Sequence, residues 1–196
     1  MAVTEVTWSD LLAHPAVTES VQLRSGAGIL AFHGGLEGGT FEIASAAAAR
    51  AGASFYGVDQ PPDLRWHVPS AEVDPDRSPP LADFLAHVEV VVAVHGYGRL
   101  ARPVDVLVGG VNRAQAGRLA VHLRLALPGF TVLDDLEAIP VGLRGLHPDN
   151  PVNRVAGGGV QVELPIRARR RRQVTVAGAL AAFLGDASRA SDPPGF

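Results

Sequence analysis

The chain has 196 residues, 47% hydrophobic and 19% charged, with a formal net charge of −3, which suits one domain built on a single core. It contains neither cysteine nor lysine, and this excludes disulfides, thiolate metal sites, cysteine nucleophiles, phosphate-loop lysines and Schiff-base lysines. The negative charge argues against general nucleic-acid binding. Because there is no signal pattern and no apolar stretch near ~20 residues, we expect a cytoplasmic protein without membrane attachment.

Short apolar runs alternate with helical patterns, which predicts a single α/β domain with a mixed sheet flanked by helices. The predicted strands are 28–33, 54–58, 88–95, 104–108, 130–133 and 160–164. The predicted helices are 4–13, 40–51, 81–87, 112–127 and 174–184. The run 88–94 is nearly all apolar, so we expect helices or loops to cover both faces of that strand.

The chain divides into three predicted parts. Residues 1–20 form an N-terminal helix and extension, residues 21–186 form the domain, and residues 187–196 form a flexible tail. Within the domain, the segment 60–80 is rich in proline and aspartate. It is long for a loop in a compact domain, and such loops are usually functional or disordered.

The segment 29–40 is the most informative one, because its apolar run ends in His33 and the carboxylate of Glu37 follows four residues later. Glycines on both sides of Glu37 permit a tight turn or a close approach of the backbone to a ligand. Strand-to-helix crevices of this kind bind ligands in α/β sheets. The alternative is a glycine-rich loop whose two polar side chains are merely solvated.

His95 repeats this setting, since it ends the run 88–95 and precedes Gly96. Alone, such a histidine is more often a hydrogen-bonded residue at the edge of the core. Two histidines and a glutamate at strand ends, however, supply the three protein ligands of a catalytic zinc and leave a fourth position for water. The sequence therefore predicts zinc bound by His33, Glu37 and His95.

Glu163 lies within the otherwise apolar strand 160–164. A buried carboxylate is costly unless something pairs with it or uses it. Beside a zinc-activated water it would act as general base, taking the proton of the water and passing it to a leaving amine. The alternative is a glutamate on an edge strand that faces solvent.

Several polar residues near these positions are candidates for holding a substrate. A zinc with one carboxylate and two neutral histidines keeps a positive charge and favours anions, and an arginine fork captures carboxylates. The candidates are Arg154 as first choice, Arg113 as second, with Asn112 and His67 beside them. The arginine-rich run 167–172 instead predicts a solvated face at the start of the last helix.

These residues resemble the motifs of the poly-γ-glutamate hydrolase family, a phage and bacterial group also labelled phage-related replication proteins. The matching segments, in the order of the family, are 33–42, 66–70, 94–97, 108–110 and 159–165. The resemblance implies a fold like that of zinc carboxypeptidases and a zinc ion held by His33, Glu37 and His95. It also implies Glu163 as catalytic carboxylate and cleavage of a glutamyl amide bond in an anionic small molecule or polymer.

One departure from the family pattern concerns the spacing between His33 and Glu37. The family commonly has one more glycine between the histidine and the glutamate, so Glu42 is the fallback ligand. Its place in the first turn of a helix is better suited to an electrostatic or outer-shell role.

Two enzyme classes are disfavoured by missing patterns. A serine esterase needs a Gly-x-Ser-x-Gly elbow, which is absent. A dinucleotide-binding site needs its glycines after the apolar strand, whereas Gly26 and Gly28 come before the apolar run. The remaining alternative to a zinc-dependent amide hydrolase is a non-catalytic, phage- or replication-associated binding protein that retains the fold. The presence of all four expected catalytic and metal-binding groups argues against a decayed site.

Overall fold

A seven-stranded mixed sheet runs through the middle of the protein in the computed structural model, which describes residues 6–191. The strands are β1 Thr18–Gln22, β2 Ser25–Gly34, β3 Ala53–Asp59, β4 Val90–Tyr97, β5 Asp105–Gly109, β6 Thr131–Leu133 and β7 Val160–Pro165. The helices are α1 Trp8–Ala13, α2 Thr40–Ala51, α3 Pro79–His87, α4 Arg113–Ala126, α5 Ile166–Arg171 and α6 Gln173–Ser191. The fold is thus a single α/β domain. None of these helices is both long and apolar enough to cross a membrane.

The order across the sheet is β1-β3-β2-β4-β7-β5-β6. Strands β3, β2, β4 and β7 are parallel to their neighbours in this series, whereas β1 and β5 run antiparallel to β3 and β7. The carboxyl ends of the four central strands therefore meet at one edge of the sheet. In α/β sheets this edge is the usual place for a ligand site.

Both faces of the sheet are covered. On one face, β2, β4 and β7 pack against α2, α4 and α6 in the larger core. On the other face, α1, α3 and the loop around Val68 and Val73 form a second core. Strand β7 shows how the sequence encodes this division, because its odd-numbered residues Gln161 and Glu163 alternate with apolar residues of the larger core and so point to the opposite face.

The six predicted strands and five predicted helices are all present, with ends that shift by a few residues. Helix α1 begins at Trp8, after the capping box of Thr7 and Asp10, and residues 1–5 lie outside the described part of the chain. Helix α6 continues to Ser191, so the first half of the predicted flexible tail is helical, and residues 192–196 are not described.

Two elements were absent from the sequence prediction. Strand β1 is mostly polar and half exposed, so it lacks the apolar signal of a strand. It pairs with β3 along its whole length. The other element is α5, which the prediction treated as the solvated start of the last helix. That prediction was wrong for Arg169, which is buried.

The Tyr56 side chain ties strand β1 to the domain. Its ring is fully buried, and its hydroxyl donates to Glu19 Oε1 at 2.7 Å and lies 3.4 Å from Ser78 Oγ. The Ser78 hydroxyl, at the N-cap of α3, also donates to Glu19. Burial raises the pKa of Tyr56 far above its ordinary value, so the hydroxyl remains a neutral donor.

We predict that Tyr56→Phe lowers the free energy of unfolding by about 1–2 kcal/mol, because it removes a hydrogen bond to a charged acceptor and retains the packed ring. Chemical denaturation followed by circular dichroism measures the change. An unfolding midpoint equal to that of the unmodified protein would show that this bond contributes nothing to stability.

Candidate active site

Three strands bring polar side chains to the carboxyl edge of the sheet. His33 lies near the end of β2, His95 near the end of β4, and Glu163 near the end of β7. His95 and Glu163 are paired in the β4–β7 register. All three side chains are buried, with 3%, 3% and 5% of their surface exposed. Parallel strand order is therefore what gathers groups that are far apart in the sequence.

The loop after β2 places the carboxylate of Glu37 between the two histidines. The backbone N–H of Glu37 donates to the His33 carbonyl at 2.9 Å, which closes a tight turn. Gly35 has a φ of +72°, and a Cβ there would collide with the carbonyl oxygen of Gln60. Only glycine suits both the left-handed conformation and this close approach, so the glycines serve the geometry of the turn.

The polar atoms of this cluster lie close enough together to share one metal ion. His33 Nδ1 lies 3.1 Å from Glu37 Oε1, and His95 Nδ1 lies 3.5 Å from Glu37 Oε2. One ligand atom from each of the three residues lies within 4.8 Å of the others. His33, Glu37 and His95 can therefore hold a metal ion.

Outer hydrogen bonds orient two of these ligands. His33 Nε2–H donates to the Val68 carbonyl at 2.9 Å, which leaves Nδ1 as the nitrogen with a free lone pair. The Gly96 N–H donates to Glu37 Oε2 at 2.8 Å. Such partners fix the tautomer and direction of metal ligands. His95 Nε2 is buried without a partner among the described residues.

Burial and charge act in opposite directions on the ionisation of the cluster. Burial raises the pKa of Glu37, but the adjacent His33 and His95 lower it more, so the pKa lies far below its ordinary value. Burial likewise lowers the pKa of His33, but the charge of Glu37 and the hydrogen bonds to Glu37 and Val68 together outweigh this and raise it. Burial dominates at His95 and lowers its pKa. Glu37 is therefore a carboxylate, the form that binds metal.

A chain of buried side-chain amides orients Glu163. Asn150 Nδ2 donates to Gln161 Oε1 at 2.8 Å, and Gln161 Nε2 donates to Glu163 Oε1 at 2.9 Å. Burial, followed by the charge of Glu37, raises the pKa of Glu163 well above its ordinary value. Because Oε1 already accepts from Gln161, Oε2 is the oxygen left to exchange a proton.

Arg169 joins the segments that carry these groups. Its guanidinium donates to the carbonyls of Gly38 at 2.8 Å, Leu164 at 3.2 Å and Tyr97 at 3.4 Å. These carbonyls belong to the Glu37 loop and to the ends of β7 and β4. A Cβ on Gly96 would collide with the same guanidinium, so this glycine is needed for the arginine to pass beneath the site.

A cavity of about 680 Å³ opens over the cluster. His67 lies in its wall, with its ring 5.1 Å from that of His33, centroid to centroid. The segments 69–71 and 141–147 form much of the remaining wall, and Arg144 is the only described arginine among the lining residues. The sequence offered no local signal for Arg144, whereas the alternation of Gln161 with Glu163 could have indicated a shared face.

The structure does not bring the other predicted substrate residues into this cavity. Arg154 lies outside its lining and pairs with the exposed Asp149 at 3.4 Å. The guanidinium of Arg113 donates to the carbonyls of Val108, Gly110 and Asp134. Asn112 caps α4 by accepting from the Gln115 N–H. Arg113 and Asn112 therefore stabilise the turn between β5 and α4.

Glu42, the fallback metal ligand, is exposed in the first turn of α2. It is not a member of the cluster formed by His33, Glu37 and His95. The shorter spacing between His33 and Glu37 is thus compatible with a complete three-residue set.

Known structures share this fold. A bacteriophage poly-gamma-glutamate hydrolase matches with a TM-score of 0.75 and 24% identity over 90% of this chain and 91% of that one. The zinc-free apo form of YNDL matches with a TM-score of 0.70 and 22% identity over 88% and 91% of the two chains. A candidate carboxypeptidase from Burkholderia mallei has a TM-score of 0.54 and 12% identity, over 92% of this chain and 65% of that one. The predicted carboxypeptidase-like fold is confirmed.

A comparison with curated proteins gave no significant match. The model of the poly-gamma-glutamate hydrolase family, in contrast, matches residues 8–176, which include both histidines, Glu37 and Glu163. With this match over most of its length, the chain belongs to the poly-gamma-glutamate hydrolase family.

Proposed function

We propose that the protein is a zinc-dependent hydrolase that cleaves γ-glutamyl amide bonds in anionic, poly-γ-glutamate-like chains. One observation carries this proposal, namely the convergence of His33, Glu37 and His95 beside the buried carboxyl of Glu163 in the wall of an open cavity. Membership of the hydrolase family supports the reaction type. The phage hydrolase with the same fold supports the substrate class.

Zinc is the metal we assign to the cluster, because two imidazole nitrogens and one carboxylate are the donor set of many catalytic zinc sites. When bound, a zinc ion would supply Lewis acidity that polarises a carbonyl and lowers the pKa of water. The chain itself supplies fixed ligand directions through Val68 and Gly96.

Glu163 is the group we assign to proton transfer. In hydrolysis the water oxygen bonds to the amide carbon, and Glu163 Oε2 takes the proton that the water loses. The carbon–nitrogen bond then breaks, and Glu163 gives that proton to the leaving nitrogen. The products are a carboxylic acid and an amine. The hydrogen bond from Gln161 holds the carboxyl in one orientation through both transfers.

His67 and Arg144 are the residues we assign to substrate binding, because both line the cavity. Arg144 Nε donates to the Ile139 carbonyl at 2.9 Å, and Nη1 lies 3.4 Å from Glu137. Glu137 is 83% exposed, so this ion pair is weak and a substrate carboxylate can compete for the guanidinium. This assignment replaces Arg154 and Arg113.

We predict about one equivalent of zinc per chain, and a His95→Ala variant that has lost most of this affinity. The loss should exceed the ~10–100-fold effect of removing an outer hydrogen-bond partner of a metal site. Elemental analysis and zinc titration measure it, with His87→Ala as a control because His87 is exposed and outside the cavity. Wild-type protein that takes up no zinc on titration would contradict the assignment.

We predict that Glu163→Gln lowers kcat by ~10²–10⁴, the usual effect of losing a general base, and leaves the zinc content unchanged. Steady-state kinetics on a γ-glutamyl oligomer measures the effect. Glu89→Gln is the matched control, since Glu89 is exposed and far from the cavity lining. A zinc-loaded Glu163→Gln variant with the wild-type kcat would remove Glu163 from the mechanism.

We predict that Arg144→Gln reduces kcat/KM on glutamyl substrates about 10- to 100-fold, mainly through KM, because a charge-assisted hydrogen bond is worth about 1.5–3 kcal/mol. Substrates with amidated carboxylates should show little change. Arg154→Gln removes the same charge outside the cavity and serves as control. Equal losses in the two variants would argue for a general effect of charge in place of a specific contact.

A further inference from the structure

Five exposed arginines lie near the carboxyl edge of the sheet that holds the active site. We call them the arginine surface: Arg99, Arg167, Arg170, Arg171 and Arg172. Arg99 follows β4, which carries His95, and the other four lie within or directly after α5, which follows β7 and Glu163. None of these five forms an ion pair with a carboxylate within residues 6–191. The arginines that do are those at positions 77, 102, 124, 144, 154 and 189.

Three members of the arginine surface line two depressions that share Arg167. One depression, of about 50 Å³, is lined by Arg99 and Arg167, and a second, of about 240 Å³, is lined by Arg167 and Arg172. No aspartate or glutamate lines either depression. The Arg167 guanidinium also lies 5.9 Å from the centre of the Phe130 ring, a contact that restricts its position. Arg167 therefore connects the two depressions.

The surface begins close to the catalytic carboxyl. Gly96 lines the cavity, and the next residue of β4, Tyr97, lines the smaller depression together with Pro165, its partner at the end of β7, and Arg99. The cavity and the smaller depression are therefore adjacent along the ends of β4 and β7. A chain bound at Glu163 can extend over Arg99 to Arg167 along the edge of the sheet.

Another side of the cavity is mainly acidic. Ala71 lines both the cavity and a neighbouring depression whose wall holds four carboxylates, Glu72, Asp74, Asp76 and Asp149, and one arginine, Arg154. An anionic polymer is repelled on that side and attracted on the arginine side. In a protein with a net charge of −3, this separation of charge favours a bound polyanion that extends over the arginine side.

We infer that the arginine surface binds the free carboxylates of an anionic glutamyl polymer at positions beyond the bond that is cleaved. This inference rests on the proposed function for its substrate class. In a γ-linked chain each residue keeps a free α-carboxylate, so the ligand presents one negative charge at every residue. Guanidinium groups bind carboxylates through paired hydrogen bonds. Several neighbouring arginines can therefore bind several successive carboxylates of one chain.

The test measures binding without cleavage, in protein that carries Glu163→Gln. Arg167→Gln/Arg172→Gln is compared with Arg118→Gln/Arg189→Gln, which removes the same charge from two exposed arginines on α4 and α6 outside the arginine surface. We expect the first pair of substitutions to raise the Kd for long poly-γ-glutamate about 3- to 30-fold at low salt, with a smaller effect at high salt. Equal Kd values in the two double variants would overturn the inference.

Kinetics with an intact Glu163 separates this inference from the proposed function. On the long polymer, Arg167→Gln/Arg172→Gln should lose more kcat/KM than it does on a short γ-glutamyl oligomer that fits the cavity. Equal losses on both substrates would place these arginines in the active site itself and overturn the distal role. A wild-type protein that cleaves neither substrate would instead contradict the proposed function.

A single-stranded oligonucleotide of matched charge tests the other class of polyanion. We expect it to bind more weakly than poly-γ-glutamate. Of the two aromatic residues that line the depressions, Tyr97 is buried and only Phe130 is partly exposed, whereas strand-binding proteins stack successive bases on several aromatic side chains. Tighter binding of the oligonucleotide, lost in Arg167→Gln/Arg172→Gln, would reassign the surface to nucleic acid.

Discussion

The buried carboxylate of Glu37 is the constraint on which the site depends. A carboxylate out of water is costly unless charge and hydrogen bonds compensate it, and here the two histidines and the Gly96 N–H do so. These partners come from β2 and β4, so the carboxylate is satisfied only when the two strands lie side by side. The same geometry that stabilises Glu37 thus brings together the three groups that could hold a metal ion.

Arg169 extends this coupling to the third strand. By donating to carbonyls of the Glu37 loop, β4 and β7, it joins the segments that carry Glu37, His95 and Glu163. The guanidinium is planar and offers five donors, which allows one side chain to reach three backbone segments at once. Its positive charge also lies near two carboxyl groups, Glu37 and Glu163, and favours their charged forms.

The active site therefore combines a rigid floor with a wall of loops. The floor consists of strand ends joined by backbone hydrogen bonds, whereas the wall comes from the segments 67–71 and 141–147. Catalytic groups need fixed positions, and strands supply them. Substrate-binding groups are commonly carried on loops, and His67 and Arg144, which we propose for that role, both belong to this wall.

The sequence by itself determined the α/β class and most strand and helix positions, because these follow from local apolar patterns. From strand-end polarity it also predicted a site of His33, Glu37, His95 and Glu163, which stays a prediction although the fold brings these side chains together. It did not determine β1, whose polar residues are held by Tyr56 and by pairing with β3. Nor did it select Arg144 over Arg154, since local sequence gives no measure of distance to the cavity. Arg169 stands among exposed arginines that look the same in sequence. Only the packing of α5 against the Glu37 loop and the ends of β4 and β7 decides that it is buried, because its partners are backbone carbonyls that the folded chain alone brings together.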